Sequence, residues 1–312
     1  MLSKLESYEL LLKMDVNYMP TEYEGDIYHY TSSSGLSSIL LGNAEKLTLW
    51  ASRYDCLNDA SEGKVVEEVF HEVCVELKSR GEISEYLYDL FYNVKPARTI
   101  PIIHSKENII RPTRPECNRF VCSFSKSKDS LAMWNYYSKG SKYEGFNIGF
   151  RPKGIKESLI EFLEGRESRI YVYPVVYERS EQKRLIEKML LKLKENYDVN
   201  QESSIRYIIS NRLTEWSLVF KQECFQHEEE VRVIVDVAKR EKEIQVKYRT
   251  NAGYVVPYIE LKLKKEDVSY VGFGPLQCEE GQKKDQLQVM KEMLETNGYS
   301  VIVNHSQIPV RF

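Results

Sequence analysis

The chain has 312 residues, enough to bury a substantial core. Hydrophobic residues make up 42% and charged residues 29%, which excludes a disordered chain. Its 44 basic and 47 acidic residues leave a formal charge of −3, so the net balance indicates neither nucleic acid nor an anionic membrane as a partner.

Residues 2–14 carry Leu2, Leu5, Leu10, Leu11 and Leu12 near one stripe and predict a short helix. The same segment holds Lys4, Glu6, Glu9 and Lys13, unlike a signal peptide. Residues 26–31 are rich in β-formers and predict a strand. Ser32, Ser33 or Ser34 then caps a helix through Leu36–Leu41, ended by Gly42. Leu47–Ala51 reads as a second strand, followed by a loop over residues 54–59. Ser61 and Lys64 open a helix bearing Val65, Val66, Val69, Phe70 and Val73. Pro96, Pro101, Pro112 and Pro115 forbid a long helix over residues 80–116, where only Ser84–Tyr92 reads as helical.

A strand is expected at Arg119–Phe124, a helix at Ser127–Ser138 closed by Gly140, and a strand at Gly145–Phe150. Residues 154–164 read as helix and Ile170–Tyr177 as strand. Residues 180–224 form the longest helical region, interrupted near Asp198-Val199-Asn200. The remainder is strand-rich, with strands at Val231–Val235, Ile244–Tyr248, Tyr254–Leu263 and Val268–Gly274. A helix at Cys278–Asn297 and a strand at Ser300–Asn304 complete it. The expectation is an α+β chain, 1–312 as a single domain with a mixed, mostly antiparallel sheet system and a helical insertion at about 180–224. Six cysteines, at 56, 74, 117, 122, 224 and 278, form no CxxC pair and no zinc spacing, and they read as reduced thiols. No stretch approaches the ~18 apolar residues of a membrane span. A cytoplasmic protein with no metal site and no membrane association is expected.

Four segments could carry chemistry. In Tyr28-His29-Tyr30-Thr31, His29 points opposite to Tyr28 and Tyr30; it is either a core histidine satisfied by backbone or a ligand contact at a strand end. Asn58 and Asp59 precede a helix, where capping explains them equally well. In the segment 121–137, Ser125 lies at a strand exit, and Leu131, Trp134 and Tyr137 share one side of a helix. Trp134 suits a core stripe, while Ser125 and Tyr137 suit a ligand. In His227-Glu228-Glu229-Glu230-Val231-Arg232, the valines take one face and Glu228, Glu230 and Arg232 the other. That pattern fits a charged sheet edge, or a carboxylate held by Arg232 and aimed into a cleft. No phosphate loop, dinucleotide fingerprint, zinc-protease helix or nucleophile elbow competes with these segments.

Taken in order, these pieces resemble a bacterial family known only as domain of unknown function 2971. The likeness is carried by Tyr28-His29-Tyr30-Thr31, Leu57-Asn58-Asp59 with Glu62, and Cys122-Ser123-Phe124-Ser125 with Met133-Trp134, Tyr137 and Gly145. Lys221 with Glu228, Glu230 and Arg232, then residues 271–275 and 306–309, complete it over nearly the whole chain. Ala60 stands where the family pattern usually has proline. A looser likeness is to ADP-ribosyltransferases, in fold and in layout. It implies NAD as substrate and, in a toxin or phage-defence role, a macromolecular acceptor. It also implies that His29 bonds the ribose, Ser125 steadies the site, Tyr137 lies against the nicotinamide and Glu230 (or Glu228) stabilises an oxocarbenium-like transition state. Tyr30, Thr31, Trp134, Asn58, Asp59 and Arg232 complete the expected nucleotide-binding set. Two other readings remain: a metal-independent nuclease using His29 and Glu230 as acid and base, or a non-catalytic module binding a nucleotide or a protein. The 22 tyrosines suit such a recognition surface and suit a core equally.

Overall fold

Runs of β-branched and aromatic residues with period-two alternation supply the ten strands found among the described residues, all in one sheet. The computed structural model describes residues 18–57, 64–96, 117–137, 144–166, 168–195, 202–238, 241–251, 253–275 and 280–309. The strands are β1 (Ile27–Ser32), β2 (Leu47–Arg53), β3 (Cys117–Ser125), β4 (Gly145–Phe150), β5 (Ser168–Pro174), β6 (Glu230–Ala238), β7 (Lys247–Asn251), β8 (Tyr254–Leu263), β9 (Val268–Phe273) and β10 (Ile302–His305). Between them run α1 (Ser33–Leu40), α2 (Lys64–Ser79), α3 (Glu85–Tyr92), α4 (Leu131–Tyr137), α5 (Pro152–Phe162), α6 (Arg179–Glu195), α7 (Glu202–Trp216) and α8 (Glu280–Thr296). The sheet is mixed, since β10 pairs parallel to β9 while the other strand pairs are antiparallel. The α+β expectation therefore holds. No described helix is long and apolar enough to cross a membrane.

The sheet order is β10-β9-β4-β1-β3-β2-β8-β7, with β6 and β5 branching from β3. The branch arises because β3 has three partners. One of its edges pairs with β6 along its whole length, from Cys117↔Ala238 to Ser125↔Glu230. The other edge is divided: β1 meets it at Tyr28↔Ser125, and β2 meets it at Ser52↔Val121 and Arg53↔Phe120. Between these points β1 leaves with β4 and β2 leaves with β8. Residues 122–124 of β3 therefore lie at the floor of a gap.

Alternation assigns each strand residue to one of two cores. Ile27, Leu49, Phe120, Phe124 and Val233 face the larger core, closed by Leu40 of α1, Leu159 of α5 and Leu294 of α8. Val121 and Ile234 face the second core, where Phe70 of α2, Phe91 of α3, Met189 of α6 and Trp216 of α7 cover them. The helical segment between β5 and β6 is thus a layer on the sheet, where it buries one whole face of β6.

Most element expectations match, with local shifts that have physical causes. The helix expected from Ser127 begins at Leu131, because Ser125 Oγ and Tyr30 Oη accept the backbone N–H groups of Ser127 and Ser130 in a polar turn. The strand expected at Ile244–Tyr248 runs instead from Lys247 to Asn251. A tight hairpin, with Asn251 opposite Tyr254 and Gly253 at φ 85°, fixes that register. The expected strand over Ile170–Tyr177 ends at Pro174, and Val176 instead bridges to Phe220. The helix at 2–14, the interruption near residue 198, and Asn58 and Asp59 lie outside the described residues. Cys56, Cys74, Cys122 and Cys224 are free thiols.

Candidate functional site

The gap between β1 and β2 is a cleft of about 430 Å³. Its floor is Cys122, Ser123 and Phe124 of β3. One wall carries His29 and Thr31 of β1, with Tyr137 of α4; the opposite wall carries Trp50 and Ser52 of β2 and Arg249 of β7. Glu228 and Glu230 also line it. Segments two hundred residues apart thus reach one cavity through the divided edge of β3.

His29 closes part of that divided edge. Its Nδ1 lies 3.1 Å from the Ser123 carbonyl oxygen, which can only accept, so Nδ1 carries the proton and Nε2 is the acceptor nitrogen. Burial holds the imidazole below its usual range, against the opposing hydrogen bond to Ser123, and the Arg249 charge lowers it further. His29 is therefore neutral near pH 7. It packs edge-on against Phe124, with ring centres 5.6 Å apart.

Glu230 opens β6 and is 5% exposed. Arg232, two residues on and on the same face, forks both its oxygens: Nε to Oε1 at 2.9 Å and Nη2 to Oε2 at 3.0 Å. Lys221 Nζ lies 3.3 Å from Oε2 of Glu230 and 2.7 Å from Oε2 of Glu228. Arg232 Nη1 donates to the Leu218 carbonyl at 2.8 Å. The Glu230 backbone N–H donates to Tyr177 Oη at 3.0 Å. Between the two glutamates, Glu229 takes φ 44°, left-handed for a non-glycine residue. Its carbonyl accepts from Lys126 N at 2.9 Å, tying this turn to the exit of β3. Burial pushes the Glu230 carboxyl up, but the charges of Arg232 and Lys221, with hydrogen bonds from Arg232 and Ser123, outweigh it and hold the pKa at about 2.

A stability change follows from that depression. The folded value lies below the ordinary 4.5, so the contribution of ionised Glu230 is fully present above pH 4.5 and is lost as the pH falls towards 2. Urea midpoints measured from pH 6 to pH 2.5 should fall most steeply below about pH 4.5, and Glu230→Gln should flatten that decline. A decline of equal steepness in both proteins would overturn the assignment to Glu230.

The segment between β3 and α4 is fastened from several sides. Ser125 is fully buried; its Oγ donates to the Glu228 carbonyl at 2.8 Å and accepts from Ser127 N at 3.1 Å. Tyr30 Oη donates to the Ser127 carbonyl at 2.9 Å and accepts from Ser130 N at 3.1 Å. Trp134 packs against Tyr30 at 4.7 Å between ring centres, and its Nε1 donates to Asp129 at 2.7 Å. Asp129 also accepts from Ser306 Oγ and from the Gln307 backbone N–H. Tyr30→Phe removes one hydroxyl that serves two backbone groups, so a loss of about 1–3 kcal/mol in urea unfolding is expected. A loss under about 0.5 kcal/mol would show the segment to be held without it.

Of the residues singled out from sequence, His29, Tyr30, Thr31, Tyr137 and Glu230 line the cleft, and Glu228 joins them. Ser125, Trp134 and Arg232 are not among its lining residues. They stand behind it, as a loop anchor, a core ring and the carboxylate's partner. The charged-edge alternative for residues 228–232 is corrected: β6 is an inner strand between β3 and β5, and Arg232 is 3% exposed. Trp50 and Arg249 line the cleft as well, outside the set expected from sequence. Trp50 carried a signal, since a large apolar ring between Leu49 and Ala51 falls on the polar face of its strand. Arg249 carried none, because its neighbours Trp50, Ser52 and Tyr258 come from β2 and β8. Among the described residues no group of three or more His, Cys, Asp or Glu side chains could hold a metal ion.

Residues 133–233 match the model of a family described as "Protein of unknown function (DUF2971)". The match covers less than half of the chain and takes in Tyr137, Lys221, Glu228, Glu230 and Arg232, but not His29. Comparison with curated proteins finds no match, and comparison with solved structures finds none either.

Proposed function

We propose that the cleft is an enzyme site for nucleotide chemistry, in which NAD is the substrate and its nicotinamide–ribose bond is broken. The supporting observation is the meeting, in one cleft, of an ionised, immobilised carboxylate at Glu230 and a neutral His29. When nicotinamide leaves with the bonding electrons, positive charge develops on the ribose. A carboxylate fixed by Arg232 and Lys221 opposes that charge without having to reorient. His29, with Nε2 as acceptor, suits a ribose hydroxyl, and Tyr137 offers an exposed ring to a flat leaving group. Water or a nucleophile on a macromolecular acceptor would then take the ribosyl carbon.

The same carboxylate is a poor match for acid–base cleavage of a nucleic acid. With a pKa of about 2, Glu230 carries no proton to donate near pH 7 and is a weak base there. The test is NAD consumption by the purified protein, alone and with lysate as acceptor. Turnover in wild type that falls in Glu230→Gln supports the reading. A rise in melting temperature with NAD but no turnover would replace it with a binding module.

A further inference from the structure

The wall of the cleft opposite His29 is built for an anion. Trp50 is 41% exposed, with its ring tilted against Tyr258 at 4.6 Å between centres. The Arg249 guanidinium lies 5.5 Å from the Trp50 ring centre and 6.0 Å from that of Tyr258. Its Nη2 donates to Ser52 Oγ at 2.8 Å, which orients the fork. Its Nε is buried and has no hydrogen-bond partner among the described residues. The neighbouring carboxylate, Glu260, is already engaged by Lys247 at 2.8 Å and Lys262 at 3.1 Å. At the far end of the cleft, Glu228 and Glu230 are balanced by Lys221 and Arg232. Arg249 is thus the cation lining the cleft that has no carboxylate partner among the described residues. A buried N–H without an acceptor is costly, and a bound anion would satisfy it. The Arg249 charge also reaches His29 and Cys122, lowering the proton affinity of both.

We propose that this wall is the phosphate subsite of the cleft, where Arg249 binds a nucleotide phosphate and the exposed part of the Trp50 ring receives the base. The inference rests on the reading of the cleft as a nucleotide site and names the residues that select a phosphorylated ligand. Tryptophan offers its π-face to any base, so Trp50 supplies affinity with little choice of base. The guanidinium supplies the choice between nucleotide and nucleoside.

The experiment is calorimetric titration of the full chain with AMP and with adenosine, which needs no turnover. Wild type is expected to bind AMP at least ~10-fold more tightly than adenosine. Arg249→Gln should bind AMP about as weakly as adenosine, and Arg249→Lys should recover part of the difference. Trp50→Leu should weaken both ligands about equally. Melting temperatures near wild type identify the variants as folded. Equal affinity for AMP and adenosine in wild type, binding of neither, or discrimination that survives Arg249→Gln would each overturn the subsite. AMP discrimination lost with Arg249 in a protein that leaves NAD intact would sustain the subsite and reject the NAD reaction. NAD turnover indifferent to Arg249 would do the reverse.

Discussion

Arg232→Met is expected to cost about 3–5 kcal/mol of folding stability, the range seen when one partner of a buried ion pair is removed. Its Nε and Nη2 donate to Glu230 and its Nη1 to the Leu218 carbonyl. Methionine fills much of the space but leaves the Glu230 carboxylate with Lys221 as its cation and takes the Nη1 donor from the Leu218 carbonyl. A domain of ordinary stability, about 5–15 kcal/mol, would lose a large share of it. Urea unfolding provides the measurement. A loss below about 1 kcal/mol would mean that solvent reaches Glu230 and that the cluster is weaker than its burial implies. The double variant Arg232→Met/Glu230→Gln should cost less than the sum of the two single changes, since neither leaves the other uncompensated.

Glu230→Gln is expected to lower NAD turnover by about 100-fold or more, in line with the loss of one preorganised electrostatic group. The change is nearly isosteric, yet it is not structurally silent. It leaves Lys221 paired with Glu228 and takes from Arg232 the carboxylate that its Nε and Nη2 reach, so an excess positive charge is buried beside the cleft. A lower melting temperature should accompany the lost turnover, and activity must be compared well below that temperature. Glu228→Gln serves as the contrast. It lines the same cleft and touches Lys221 at 2.7 Å, and a smaller loss of turnover is expected there. Equal losses in the two variants would point to Lys221, their shared partner, as the determining group.

Much of this architecture is legible in the sequence because its signals are local. Strand-forming runs mark β1, β3, β4, β8 and β9, and the serines after β1 mark the start of α1, where Ser32 Oγ accepts from Gly35 N. The candidate site was legible only in part. His29 and Glu230 stand out as polar residues in strand-forming runs, but nothing local says that β3 has a divided edge. That division depends on where β1 and β2 each stop pairing, which is a property of three strands together. The burial of Arg232 was hidden for a similar reason. Alternating charges read the same on a solvent face and on a covered one, because the covering residues, Tyr177, Leu218 and Lys221 among them, lie elsewhere in the chain.

The covered face of β6 carries Glu230, Arg232, Ile234 and Asp236 in alternation, and Arg119 of β3 pairs with Asp236 through Nε at 2.6 Å and Nη2 at 2.9 Å. Strands that merely alternate apolar and polar residues can slide by two positions and still bury the correct side. Here such a slide would set Arg119 opposite Ile234 or Ala238, abandon Asp236 in an apolar layer and draw Ser125 away from Glu230. Misaligned β3–β6 ladders are thereby penalised twice, at both ends of the same pair. The charges on this face of β6 thus disfavour wrong alignments of the strand from which the cleft is built.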